Sequence, residues 1–213
     1  MRKIIIAGNW KMNKDHKEAA ELARGVVEKV GDVTGVDVAV CPTFTSLASV
    51  ADVVDGTNVA LGAQDMFWEE KGAYTGEISA NMLLTLGCRF VILGHSERRQ
   101  YFCETDDTVA KKVSAAIAAG LTPIVCVGET KEERESGVTQ DVVGRQVRGA
   151  FEGMSASEFG GTVVAYEPYG PSGPVSRRRP NRHRKYMPSF GDCLLKSSTA
   201  KPLKKREFST AAA

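Results

Sequence analysis

The stretch Phe90-Val-Ile-Leu-Gly-His-Ser-Glu-Arg-Arg-Gln-Tyr-Phe102 decides how the chain is read. It opens as a short apolar run, Phe90 to Leu93, and Gly94 breaks that run. An imidazole, a hydroxyl, a carboxylate and two guanidinium groups follow at once: His95, Ser96, Glu97, Arg98 and Arg99. A buried strand that ends in dense polar chemistry is what a site at the carboxyl end of a parallel strand looks like. Taken alone, a histidine after a strand is more often a loop residue than a catalyst, so the rest of the chain has to supply the argument.

Working outward, the same alternation recurs. Toward the N-terminus, Lys3 to Gly8, Val36 to Cys41 and Val59 to Ala63 read as strands. A helix capped by Asp15 follows the first, with Ala19, Leu22, Ala23, Val26, Val27 and Val30 in helical spacing. Thr45 to Val54 follows the second, and Ser79 to Leu86 follows the third after a long loop. Toward the C-terminus come a helix over Thr105 to Ala119, a strand over Leu121 to Val127, a helical region from Lys131 to about Phe151, and a sixth strand over Thr162 to Tyr166. Strands this continuously apolar belong to a parallel sheet covered on both faces. A βα barrel and a doubly wound sheet both fit. The absence of a GxGxxG motif after the first strand argues against dinucleotide binding.

Composition narrows the class further. With 42% hydrophobic residues in 213, the chain can bury one sizeable core, and no run of eighteen apolar residues suggests a membrane span. The short apolar start does not read as a secretory signal. Five scattered cysteines without a CxxC pair read as reduced thiols of a cytoplasmic protein. The net charge of +2 conceals a split. Residues 1–168 hold 17 Lys and Arg against 24 Asp and Glu, whereas residues 169–213 hold 11 against 2 and five of the eight prolines.

If the strands are parallel, their carboxyl ends deliver Asn9 and Lys11, Gln64, His95 and Glu97, Cys126 and Glu129, and Glu167 to one rim. A carboxylate, an imidazole and an ammonium together suit proton transfer beside a carbonyl. No His, Cys or Asp cluster has metal-ligand spacing, so a metal is not needed. Each residue also has a plainer reading: Lys11 a solvated loop lysine, Asn9 a left-handed turn residue, Cys126 packing, and Arg98 and Arg99 a structural ion-pair cluster.

Six segments in order resemble the triosephosphate isomerase family: Gly8-Asn9-Trp10-Lys11-Met12-Asn13, Gly62-Ala63-Gln64-Asp65, Gly72 to Ser79, Gly94 to Arg99, Pro123 to Glu129, and Ala165-Tyr166-Glu167-Pro168. The resemblance spans residues 1–168. It implies a (β/α)8 TIM barrel, of which about six βα units are present. It further implies interconversion of dihydroxyacetone phosphate and glyceraldehyde 3-phosphate in glycolysis and gluconeogenesis, by a homodimer without cofactor, nucleic acid or membrane. By motif, Glu167 matches the base, His95 the neutral imidazole and Lys11 the cation, a glutamate–histidine pairing already established for that family. Asn9 matches a substrate-orienting residue, with Ser96, Glu97 and Cys126 in support. Gln64, Tyr74 and Thr75 match the loop that reaches a partner subunit.

After Pro168 the resemblance stops. Residues 169–213 read as an aberrant basic, proline-rich tail, expected to be disordered; a nucleic-acid arm is the competing reading. A displaced reading frame explains the tail better. Tyr169 to Val175 can be coded TAT GGG CCA TCG GGA CCG GT; one G placed in front turns this into Val-Trp-Ala-Ile-Gly-Thr-Gly, which resembles the family's lid loop. In the same displaced frame Pro180 to Gly191 yields Glu-Gln-Ala-Gln-Glu-Val-His-Ala-Phe-Ile-Arg, and Ser209 to Ala213 yields Tyr-Gly-Gly-Ser, which resembles a phosphate loop. A single base lost at the Pro168–Tyr169 junction accounts for all three. The expected product is a six-unit fragment that lacks lid and phosphate loops, is poorly soluble, and is nearly inactive.

Overall fold

The computed structural model describes residues 4–168. The tail, with the expectation of disorder placed on it, lies outside the described residues. Six parallel strands form one sheet: β1 (Ile4–Asn9), β2 (Val36–Cys41), β3 (Val59–Ala63), β4 (Cys88–Leu93), β5 (Thr122–Val127) and β6 (Val163–Tyr166). Their spatial order is their chain order, β1-β2-β3-β4-β5-β6. That order settles the choice left open by the pattern. A doubly wound sheet puts its first strand in the middle and reverses direction there, whereas a barrel adds each strand to the same side.

The helices are α1 (His16–Val30), α2 (Leu47–Val54), α3 (Ala80–Thr85), α4 (Ser96–Tyr101), α5 (Asp106–Ala119), α6 (Lys131–Glu135), α7 (Thr139–Phe151) and α8 (Ala156–Gly160). Side-chain caps start several of them. Asp15 accepts from the amides of Lys17 and Glu18, and Thr105 and Thr130 form capping boxes. Two details differ from the sequence reading. The region from Lys131 to Phe151 is two helices, because Gly137 turns the chain at φ 76°. The polar run after β4 is itself a short helix, α4, with His95 as its N-cap.

Strand alternation divides the core in two. Val38, Val40, Leu61, Val91, Leu93, Val125, Val127 and Val164 point outward and pack under the helices. Ala7, Ala39, Cys41, Phe90, Ile92, Ile124, Cys126 and Ala165 point into the concave side. Most inward residues are small, and Phe90, fully buried, fills the space they leave. Gly62 makes this possible: a Cβ there would stand 2.6 Å from Cys41 Sγ and 3.2 Å from Phe90 Cβ. Burial also pushes the thiols of Cys41 and Cys88 up to about 12, so both behave as apolar packing atoms. Among the described residues, no helix is long and apolar enough to cross a membrane.

Candidate active site

Because every strand runs the same way, all carboxyl ends open on one rim. From β4, Gly94 takes φ 70° and turns the chain, leaving His95 buried at the start of α4. The backbone N–H of Glu97 donates to His95 Nδ1 at 3.2 Å. That nitrogen is therefore an acceptor, and the ring proton sits on Nε2. Nε2 in turn lies 2.9 Å from Glu167 Oε1, beyond the end of β6. The hydrogen-bond pattern defines a neutral imidazole with its N–H directed at a carboxylate.

Glu167 is held from several sides. Its second oxygen accepts from the Ser96 amide at 3.0 Å, and its own N–H donates to Val127 O at 2.8 Å. Burial pushes its carboxyl up, but the His95 hydrogen bond and the Ser96 amide outweigh burial and hold it below the ordinary glutamate value. The Cys126 thiol beside it is pushed far up, first by burial and then by the carboxylate. Cys126 is thus a protonated wall against Glu167, not a nucleophile.

Lys11 enters from β1. Its backbone adopts φ 51°, the left-handed region that side-chain-bearing residues rarely occupy. Asn9 is the last residue of β1, and its Oδ1 accepts the Lys11 N–H at 2.9 Å to stabilise the turn that follows. Gln64 Nε2 donates to Lys11 O at 2.9 Å and to Cys41 O at 2.8 Å, pinning the turn to the sheet. Lys11 Nζ then meets Glu97 Oε1 at 2.9 Å, with both side chains partly exposed to the rim. The structure brings Asn9, Lys11, His95, Ser96, Glu97, Cys126 and Glu167 together. Tyr74 and Thr75 lie apart on an exposed loop, where the Tyr74 ring packs 4.7 Å from that of Phe67.

The two arginines of the opening stretch turn away from the rim. Arg98 pairs with Asp65 (2.9 Å) and Glu104 (2.7 Å), and Arg99 with Asp106 (2.7 Å). Glu129 is buried and held by Arg134 at 2.7 Å and Tyr166 Oη at 2.8 Å, so it braces the rim from below. Two positioning residues escaped the sequence reading. Gly128 passes so close to Glu167 that an added Cβ would stand 2.2 Å from its carbonyl oxygen. Gln146 clamps Gly128, accepting from its N–H (2.8 Å) and donating to its carbonyl (3.0 Å). A signal for Gln146 was present: it occupies a core-facing place in α7 among Val142, Val143, Val147 and Ala150, where an amide needs a reason.

A carboxylate base, a neutral N–H donor and a cation on the carboxyl-end rim of an open βα barrel are equipped to move a proton next to a polarised carbonyl. The fold and the site thus define a βα-barrel protein of the acid–base type. The triosephosphate isomerase family model matches residues 4–177. The triosephosphate isomerase of Alkaliphilus oremlandii is 59% identical over 168 residues, which cover 79% of this chain and 67% of the relative. That of Herpetosiphon aurantiacus is 55% identical over the same shares. The crystal structure of the Bartonella henselae triosephosphate isomerase superposes with a TM-score of 0.71 at 40% identity, covering 78% of this chain and 68% of that one. The chain belongs to the triosephosphate isomerase family, a family of isomerases.

Proposed function

We propose that residues 4–168 carry the proton-transfer half of an isomerase that interconverts dihydroxyacetone phosphate and glyceraldehyde 3-phosphate. The observation that carries this reading is the pair His95 Nε2–Glu167 Oε1 at 2.9 Å, with Lys11 on the same rim. When a substrate carbonyl takes over the Nε2 proton donor, Glu167 loses the hydrogen bond that depresses its basicity. Exclusion of water then raises it further, and the carboxylate removes the proton from the adjacent carbon. Lys11 offsets the negative charge on the enediolate oxygens, His95 gives its Nε2 proton to the former carbonyl oxygen and takes one back from the neighbouring hydroxyl, and Glu167 returns the carbon proton to the neighbouring carbon. Asn9 and Gln64 fix the Lys11 turn, and Thr75 with Tyr74 provides the contact to a second subunit of a homodimer. A cytoplasmic glycolytic and gluconeogenic role follows from that reaction.

We further propose that the 213-residue chain is a frame-displaced product with little turnover of its own. Its tail does not encode the amides that would grip a phosphate dianion or the lid that would exclude water. The experiment is a coupled isomerase assay on two proteins: the chain, and the product of the same gene with one G inserted after the Pro168 codon. The repaired protein should turn over triose phosphate at least ~10³-fold faster, and Glu167→Gln in it should abolish that gain. Equal turnover by both proteins would refute the displaced frame. An inactive repaired protein of native fold would refute the isomerase reading.

A further inference from the structure

Two arginines follow His95 closely, and the pair divides in role. Arg98 commits its guanidinium to the buried carboxylates of Asp65 and Glu104 and lies over the Phe102 ring. Arg99 is placed differently. Its Nη1 donates to Asp106 Oδ1 at 2.7 Å, while its Nε donates to the Gly94 carbonyl at 2.8 Å. That carbonyl belongs to the peptide unit that leads directly into His95. On the other side of the histidine, the His95 carbonyl accepts from the N–H of Arg98 at 2.8 Å and of Arg99 at 3.1 Å. Both peptide units that flank His95 are therefore tied to Arg99, one through its side chain and one through its backbone.

The fit depends on Gly94. It turns at φ 70°, and a Cβ there would stand 3.0 Å from Val109 Cγ2 and 3.1 Å from Arg99 Nη2. The guanidinium thus fills the space that a side chain would need. Nη2 is buried and has no hydrogen-bond partner among the described residues, so Nε and Nη1 alone hold the group. Its charge reaches the wall behind the base: the Cys126 thiol, raised first by burial and then by Glu167, is pulled the other way by Arg99. Two longer helices brace the outer end. Asp106 opens α5, and its second oxygen accepts from Arg145 Nε of α7 at 3.1 Å. One turn further along α7, an added Cβ on Gly149 would stand 3.0 Å from Asp106 Cβ, so α7 packs directly against this carboxylate. A continuous line of contacts runs from α7 through Arg145, Asp106 and Arg99 to the Gly94 carbonyl and His95.

We propose that Arg99, anchored by Asp106, is a positioning residue: it fixes the Gly94–His95 peptide and so aims the His95 Nε2–H at the point that Glu167 Oε1 occupies and a substrate carbonyl would take. The chemistry of this role rests on the isomerase reading; its geometry does not. A guanidinium suits the place because its planar fork serves a carbonyl and a carboxylate at once, which a single ammonium does less well. An arginine that merely fastened α4 to α5 would leave the imidazole unaffected when removed.

The test replaces Arg99 by methionine, which keeps a flexible stem and removes every donor, and by lysine, which keeps a cation for Asp106 without the fork. In the full 213-residue chain, labelling of His95 by diethyl pyrocarbonate is compared by peptide mass with labelling of the exposed His16. His95 is buried and hydrogen-bonded at both ring nitrogens, so in the unaltered chain it should react far more slowly than His16. Arg99→Met should speed its labelling about 10-fold, while Cys126 stays closed to maleimide. In the frame-repaired protein the same variant should lower kcat about 100-fold and change KM by less than about 3-fold. Asp106→Asn should act in the same direction, and Asp106→Glu should recover the rate. If Arg99→Met also opens Cys126, Arg99→Lys decides, with faster His95 labelling and lower kcat at intact Cys126 protection. Equal labelling of His95 and His16 in the unaltered chain overturns the proposal. So does unchanged His95 protection in the folded variants, or a loss of rate confined to KM. A repaired protein without turnover counts against the isomerase reading and leaves the labelling contrast to decide the positioning role.

Discussion

Replacing Lys112 by methionine probes the ionic cluster that ties α5 to the end of β3. Lys112 is 3% exposed, and its ammonium lies 2.8 and 3.0 Å from the two oxygens of Asp65. It also donates to Glu104 Oε1. Arg98 supplies the second cation, so two positive and two negative charges balance in a buried space. Burial pushes the Asp65 carboxyl up to about 6 even with both cations present. Burial acts on Glu104 in the same direction, but its hydrogen bonds from Arg98 and Lys112 win and hold it low. Methionine matches the length of the lysine stem and removes one charge, leaving two carboxylates to share Arg98. Breaking a buried pair in this way costs about 3–5 kcal/mol. With a urea slope of about 2 kcal/mol/M, the unfolding midpoint should fall by roughly 2 M, read from the fluorescence of Trp10 and Trp68. The sign of the pH dependence is also fixed. Asp65 has a raised folded value, so its carboxylate is penalised above that value and relieved below it. Without Lys112 the value rises further, so the deficit should be largest at pH 8 and shrink to under about 2 kcal/mol near pH 5. A midpoint shift below about 0.3 M, or a deficit equal at the two pH values, would refute the view of this cluster as a charge-balanced clasp.

Three further outcomes follow from the same geometry. Gly128→Ala places a Cβ where the Glu167 carbonyl now stands; in the frame-repaired protein it should lower kcat/KM about 100-fold, and unchanged kcat/KM would show that this approach does not position the base. Glu167 has a depressed folded value, so the stability it lends is present above the unfolded glutamate value and lost as pH falls through the folded one; Glu167→Gln should therefore cost stability at pH 7, by an amount that shrinks as pH falls below the unfolded glutamate value in urea titrations, and a pH-independent cost would contradict this. Among the described cysteines only Cys103 is exposed, while Cys41, Cys88 and Cys126 are buried; a maleimide applied to the native chain should label Cys103 before these three, as mapped by peptide mass, and early labelling of Cys126 would show that the inner face is open.

How much of this was legible before any coordinates depended on the physical signal. Strand positions were readable because the runs at Val36, Val59, Phe90 and Leu121 are apolar without interruption, and that continuity reflects burial on both faces. Sequential strand order was not readable, since a barrel and a doubly wound sheet impose the same local pattern; the spatial order β1 to β6, identical to chain order, decides it. His95, Glu97 and Glu167 could be singled out because polar chemistry directly after an apolar strand is rarely needed for packing. The partners of Arg98 and Arg99 could not, because Asp65, Glu104 and Asp106 meet them only through the three-dimensional arrangement. α4 was missed for a related reason: Ser96 to Tyr101 has no apolar face, and all of its residues are partly or fully exposed. Gly128 was missed because a glycine's necessity lies in what approaches it, here a carbonyl from the next strand over. A left-handed turn was only the plainer alternative for Asn9; it occurs at Lys11, where the Asn9 side chain and Gln64 supply the hydrogen bonds that hold a strained backbone.

The account's central claim is that one gene encodes a complete isomerase of which this chain reads six βα units before its frame slips. The most direct test is to sequence the coding DNA from the Tyr166 codon to the last codon and translate the displaced frame. The account predicts Val-Trp-Ala-Ile-Gly-Thr-Gly directly after Pro168, a Tyr-Gly-Gly-Ser segment at the codons for Ser209 to Ala213, and an open frame continuing beyond them. Stop codons in the displaced frame before Ser209, or codons at Tyr169 to Val175 that cannot yield the lid segment, would contradict it.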